Sequence, residues 1–235
     1  MKALTLLFVS ILTSFTTFAQ ISELEKQALV DLYQSTNGDS WNTPWNLETS
    51  VTLWHGVTVV SNTVVEIDLG FNNLTGTLPA SIGNLSNLKS LKLFFNQLEG
   101  SLPSDIGNLT QLQILDVNSN NLIGEIPSFI GNLSQLNTLL LGSNKFSGTL
   151  PEELSTLSNL TTLVVFDNQL TGNIPLTYNQ LKNMSELVVA ENKFSNTNLY
   201  IPIEMLTSVG VPMIFKDVNV MDNTEISTIV LDDND

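Results

Sequence analysis

From residue 64 onward, apolar and polar positions along this chain fall into registers that repeat every 24 residues without an insertion. Each unit opens on an apolar residue: Val64, Leu88, Leu112, Leu136, Leu160 and Met184. Three positions later stand Ile67, Leu91, Leu115, Leu139, Leu163 and Leu187, and two further on Leu69, Leu93, Val117, Leu141, Val165 and Val189. The apolar-x-apolar alternation predicts a short strand whose regular positions point inward and whose intervening ones face solvent. An asparagine follows each strand, at Asn72, Asn96, Asn120, Asn144, Asn168 and Asn192. A side chain that both donates and accepts is suited to satisfying backbone groups stranded in a buried turn, so these six predict a structural ladder. Leu74, Leu98, Leu122, Phe146, Leu170 and Phe194 come next, then Gly76, Gly100, Gly124, Gly148 and Gly172, which permit a bend, and Pro79, Pro103, Pro127, Pro151 and Pro175, which are expected to stop helix or ladder. The remainder, such as Ser81 to Leu85, is too short for an α-helix and predicts a 3₁₀ turn.

The pattern LxxLxLxxNxL at this period resembles the leucine-rich repeat. The stretch Leu74-Thr75-Gly76-Thr77-Leu78-Pro79-Ala80-Ser81-Ile82-Gly83-Asn84-Leu85 is similar to the LxGxIPxxIGxL phrase of its plant-type subclass. That subclass is found in ectodomains of plant receptor kinases, in plant inhibitors of pectin-degrading enzymes and in bacterial secreted proteins. The resemblance covers residues 64–194. It implies an α/β fold: a right-handed solenoid with a parallel β-sheet on its concave face, 3₁₀ turns and loops on its convex face, and an N-terminal helical cap. It also implies a scaffold for binding rather than for chemistry.

The ends differ from the repeats. Residues 22–35 read as an amphipathic helix opened by the capping box Ser22-x-x-Glu25, with Leu24, Ala28, Leu29 and Leu32 turned to one side. Asn37 to Ser40 is a turn, and Trp41, Trp45 and Trp54-His55-Gly56-Val57 complete a cap over 20–63. The plant-type cap usually carries two cysteines around its Trp-x-Gly-Val segment; Thr52 and Val59 occupy those places here. Residues 1–19 have the layout of a signal peptide: Lys2, an apolar run from Ala3 to Leu12, and a cleavage position after Ala19. A helix of about ten residues reaches about 15 Å, half the hydrocarbon core of a bilayer, so this run does not span one. Residues 195–235 read as a C-terminal cap and acidic tail, with Asn196 in place of the repeat glycine, Pro202 three residues late, and short strands at 211–220 and 226–231. Asp217 and Asp222 carry ligands suited to calcium, but their spacing matches no loop motif, so a solvated tail is expected and no metal site is assigned.

Composition narrows the function. The chain has 235 residues, no cysteine, 8 basic and 23 acidic residues, and a formal charge of −15. Such a surface lacks the Lys and Arg clusters that release counterions from nucleic acid or anionic lipid, so neither is an expected partner. Without cysteine there is no disulfide or thiolate metal site, and stability must come from packing. No later segment is apolar enough to span a membrane, so a secreted or cell-surface protein is expected. His55 is the sole histidine and is expected to pack beside Trp54, so the usual nucleophilic triads cannot be assembled. Asp68 and Asp116 share a strand column about 9.5 Å apart, but an open, wet surface would leave both carboxyls near their ordinary values. No catalytic residue, no cofactor and no enzymatic activity are assigned. N-x-[Ser/Thr] sequons occur at Asn73, Asn84, Asn108, Asn132, Asn159 and Asn183, mostly within the repeat's own phrase.

The outward strand positions carry the functional expectation. One column runs Asp68, Lys92, Asp116, Leu140, Val164, Val188; the next runs Gly70, Phe94, Asn118, Gly142, Phe166, Ala190; beside it lie Phe71, Phe95, Ser119, Ser143, Asp167 and Glu191, with Ile114 at an earlier position. Apolar side chains displayed with a polar rim mark an interaction site. Candidate ligand-binding residues are therefore Phe71, Lys92, Phe94, Phe95, Ile114, Asp116, Asn118, Leu140, Val164, Phe166 and Val188. The competing explanation is strand propensity and neighbour packing, with some phenylalanines folded over the strand edge. Six strands about 4.8 Å apart and about 16 Å long give about 460 Å², against about 800 Å² per partner in a standard protein interface. That area suits a protein contact of modest size, a peptide or a glycan. An ice-binding or purely structural role draws on Thr75-x-Thr77 and Ser147-x-Thr149, an array interrupted by Glu99, Ile123, Glu125 and Asn173.

Overall fold

The computed structural model describes residues 21–196. The signal-peptide segment, the elements expected at 211–220 and 226–231, Asp217, Asp222 and the acidic tail lie outside the described residues.

The chain opens on helix α1, Glu23–Ser35. Its capping box is complete: the Glu25 amide donates to Ser22 Oγ at 3.2 Å, and the Ser22 amide donates to Glu25 Oε2 at 3.3 Å. Ala28, Leu29 and Leu32 are fully buried, but Leu24 is exposed and Glu25 takes the expected inward place. The buried stripe is thus 25, 28, 29 and 32, the i, i+3, i+4, i+7 spacing of one helix face, from which Leu24 is rotated away. Glu25 tolerates burial because its Oε1 accepts from Thr63 Oγ1 at 2.9 Å and from the Val64 amide at 3.0 Å, pinning helix to sheet.

Four aromatic rings fill the cap. Tyr33 contacts Trp41 and Trp45, Trp41 contacts Trp45, and Trp45 stacks on Trp54 at 4.8 Å. Each indole N–H has a carbonyl: Trp41 donates to Thr36 at 3.0 Å, Trp45 to His55 at 2.8 Å and Trp54 to Asn46 at 3.1 Å. His55 contributes its backbone carbonyl while its side chain is exposed, contrary to the expectation that it packs beside Trp54.

Among the described residues, one sheet has seven strands. An antiparallel hairpin, Val57–Val60 with Thr63–Asp68, starts it. Ser90–Lys92, Ile114–Asp116, Thr138–Leu140, Thr162–Val164 and Glu186–Val188 add in parallel. Ile67, Leu91, Leu115, Leu139, Leu163 and Leu187 pair in register and form the spine of the core.

The asparagine ladder closes each turn. Asn96 Nδ2 donates to the carbonyls of Leu69 and Leu93 at 2.8 and 2.9 Å, while its Oδ1 accepts from the amides of Asn72 and Leu74 at 3.0 and 2.9 Å. Asn120, Asn144 and Asn168 repeat this bridge between coils. Asn72 has no coil before it, so its Oδ1 takes the Thr43 amide of the cap at 2.8 Å. Asn192, on the last described coil, is only half-buried.

Five 3₁₀ turns, Ala80–Asn84, Ser104–Asn108, Ser128–Asn132, Glu152–Thr156 and Leu176–Gln180, line the opposite side. Each is preceded by its repeat proline, with φ between −60° and −77°. Each proline therefore stands between the end of a short strand (Thr75–Thr77, Gln97–Glu99, Ile123–Glu125, Lys145–Ser147 or Thr171–Asn173) and the turn that it caps, where it donates to no further ladder. Gly76, Gly100, Gly124, Gly148 and Gly172 have φ of 73–84°, the left-handed region.

Candidate binding surface

The expected columns are rows of the sheet, aligned by strand register. Asp68, Lys92, Asp116, Leu140, Val164 and Val188 are consecutive pairing partners, and so are Glu66, Ser90, Ile114, Thr138, Thr162 and Glu186 beside them. The ladder continues past the strands: the Phe71 amide donates to the Phe94 carbonyl at 3.0 Å and the Phe95 amide to that of Asn118 at 2.9 Å. These bonds fix where the aromatic side chains leave the backbone.

The strands Thr63–Asp68, Ser90–Lys92 and Ile114–Asp116 carry charge. Lys92 Nζ lies 3.0 Å from Glu66 Oε1 and 3.4 Å from Asp68 Oδ2. The hydrogen bond from Lys92 holds the Glu66 carboxyl below its usual range, and the same bond raises the Lys92 ammonium. Asp116, on the next strand, accepts from the Asn118 amide at 3.0 Å. Burial pushes the Asp116 carboxyl up and the nearby Asp68 charge adds to this, while the Asn118 amide and Lys92 oppose it. The expectation of an ordinary carboxyl at an open site is therefore corrected for Asp116, which sits low between neighbouring side chains.

Beyond the ions lies a corner of three phenylalanines. Phe71 and Phe95 stack with centroids 4.5 Å apart and planes 9° from parallel, and Phe94 meets both edge-on at 5.2 and 6.2 Å. Phe71 and Phe95 remain 61% and 55% exposed. Both have left-handed backbones, φ 55° and 50°, at the coil position where Ser119, Ser143, Asp167 and Glu191 do the same. The turn demands this conformation of every coil, and a bulky side chain is the least comfortable way to meet it. Around the corner, Asn42, Phe71, Asn73, Phe95, Asn96 and Gln97 line a shallow depression of 280 Å³.

The glycines of the second column have a packing role that strand alternation does not reveal. A Cβ on Gly70 would sit 2.5 Å from the Phe94 ring, and one on Gly142 would sit 2.5 Å from the Phe166 ring. Each ring packs against the glycine one coil earlier and is half-buried. Between them, Asn118 Oδ1 accepts from the Gly142 amide at 2.6 Å, joining adjacent coils. Ile114, Leu140 and Val188 are half-buried on the sheet face, whereas Val164 is only 8% exposed. Its expected exposure is corrected: aliphatic partners on both sides, Leu140 and Val188, shield it from water. Glu66 is a further member of the face that the sequence columns leave out, although it lies two residues before Asp68 on the same strand face, a spacing that signals a shared surface.

Among the described residues, no group of three or more His, Cys, Asp or Glu side chains is arranged to hold a metal ion. No helix among them is long and apolar enough to cross a membrane.

The chain belongs to the leucine-rich-repeat family, matching the leucine-rich repeat region over residues 64–211. It is of the plant type, as its structural neighbours show. The BIR3–SERK2 complex from Arabidopsis thaliana contains a chain 31% identical, with TM-score 0.62, covering 73% of this chain and 95% of that one. The Arabidopsis receptor kinase HAESA ectodomain, in complex with an N-terminal extended IDA peptide hormone ligand, is 31% identical with TM-score 0.62, covering 73% of this chain and 29% of its own. A plant ice-binding protein is 29% identical with TM-score 0.68, covering 74% of this chain and 58% of its own. The chain thus spans less than two thirds of the length of the last two. No curated protein matches it.

Proposed function

We propose that this chain is a secreted, non-enzymatic binding module that takes a peptide or an exposed protein segment on its sheet face, the concave side of the solenoid. The observation that carries this reading is the phenylalanine corner. Two aromatic side chains are more than half exposed, on left-handed backbones, at a position where the other coils place Ser, Asp or Glu. Nothing in the packing of the repeat calls for a phenylalanine there, and exposed aromatics beside desolvated polar groups are the usual anchors of recognition. The HAESA complex with its peptide hormone and the BIR3–SERK2 complex support a binding role for a scaffold of this kind. The amino-terminal segment supports export.

The direct test is capture from the native extracellular fluid with the wild-type chain and a Phe71→Ala/Phe95→Ala variant of unchanged melting temperature. Loss of the captured partner by the variant is the expected result; equal capture by both removes the sheet face as the site. A glycan ligand is the alternative for the same face, and silence on a glycan array excludes it. The similarity to an ice-binding protein favours one further reading, in which the flank bearing the exposed Thr77, Thr149 and Thr171 meets ice. Glu99, Ile123 and Glu125 are exposed on that flank and break its regularity. Unaltered ice-crystal shape in its presence ends that reading.

A further inference from the structure

We propose that the occupant of the sheet face is an extended peptide segment bearing a basic side chain two to four residues from an aliphatic one. The base pairs with Asp116, whose strand neighbour Lys92 is engaged by Glu66 and Asp68, and the aliphatic group lies on Leu140 and Val188, the half-buried residues that flank Val164. This inference rests on the peptide-binding reading above and adds the chemistry of the ligand.

Charge complementarity carries it. The strands Thr63–Asp68, Ser90–Lys92 and Ile114–Asp116 hold three carboxylates, Glu66, Asp68 and Asp116, against one ammonium, Lys92. Lys92 makes its ion pairs with Glu66 and Asp68. Asp116 makes none among the described residues and holds only the Asn118 amide. Burying a carboxylate without a cation costs free energy, which an incoming guanidinium or ammonium would recover. Phe94 stands two residues beyond Lys92 along the same chain segment and belongs to the aromatic corner, whose ring faces also attract a cation. One strand further, the row changes from Asp116 to Leu140, its direct pairing partner. From Asp116 the aliphatic row extends over about 5–14 Å, and an extended chain advances about 3.3 Å per residue, so the two ligand side chains are two to four residues apart. The formal charge of −15 draws a basic segment toward this face and repels an acidic one.

The probe is an array of nonapeptides in a Gly/Ser background, each with one Arg placed at a varied distance from one Leu, alongside versions with citrulline for Arg. The full chain is compared with Asp116→Asn and with Phe71→Ala/Phe95→Ala, each first shown to melt no lower than about the wild type. The wild type is expected to retain Arg peptides over citrulline ones by about fivefold, the ratio one partly exposed ion pair gives, with a maximum at the stated spacing. The Asp variant is expected to lose that preference while still retaining Leu peptides. Retention of Leu peptides by the wild type with no preference for Arg overturns the basic-ligand inference and leaves the peptide reading standing. No retention above the Phe variant overturns both.

Discussion

Each ladder asparagine is a single residue on which two coils depend. Asn120 donates to the carbonyls of Leu93 and Val117 at 3.0 Å each and accepts from the Leu98 amide at 3.0 Å, all in buried surroundings. Removing it strands buried donors and acceptors, so Asn120→Ala is expected to lower unfolding free energy by about 1–3 kcal/mol in urea denaturation. Asn192→Ala, at a half-exposed position, is expected to lose less. Asp116 gives a pH prediction. Its folded carboxyl titrates above the ordinary 3.8 because burial disfavours the charged form. The contribution of this one group to stability is therefore fully present below the unfolded carboxyl's range and is lost as pH rises through the folded value. Asp116→Asn should raise the melting temperature at neutral pH, and the gain should vanish in acid, where the wild-type carboxyl is protonated in both states. A gain that persists in acid would place its cause elsewhere.

At the scale of elements, contacts between coils decide what single strands do not show. The repeating registers make the sheet, the 3₁₀ turns and the asparagine ladder legible in the sequence, because alternation and period are properties of the chain itself. Glu25 is legible only as a capping residue; its bonds to Thr63 and Val64 join segments nearly forty residues apart. Glu25→Ala should cost about 1–3 kcal/mol by leaving the Val64 amide buried without its acceptor, whereas Leu24→Ala, at an exposed site, should stay within about 0.5 kcal/mol. The glycine platforms under Phe94 and Phe166 are illegible for the same reason: ring and glycine lie one whole coil apart. Gly142→Ala should therefore be destabilising by about 1–3 kcal/mol in the wild type and nearly neutral in a Phe166→Ala background, a coupling that a double-mutant cycle reads directly. Alternation alone assigns Val164 to solvent, and packing between Leu140 and Val188 removes it from water.

For the whole molecule, the spine and the ladder make a scaffold that does not depend on what the sheet face displays. The face runs from a charged end to an aliphatic row, with the aromatic corner beside the charged end, and binding is proposed to fall on it. Radical footprinting of the chain with its captured partner tests that most directly, because it reports side-chain exposure site by site. Phe71 and Phe95, 61% and 55% exposed in the free chain, are expected to lose most of their labelling in the complex. Leu53 and Ile123, 74% and 50% exposed on the cap and the flank, are expected to keep theirs. Protection of Leu53 or Ile123 with Phe71 and Phe95 labelled as before would contradict the assignment of the sheet face as the binding surface.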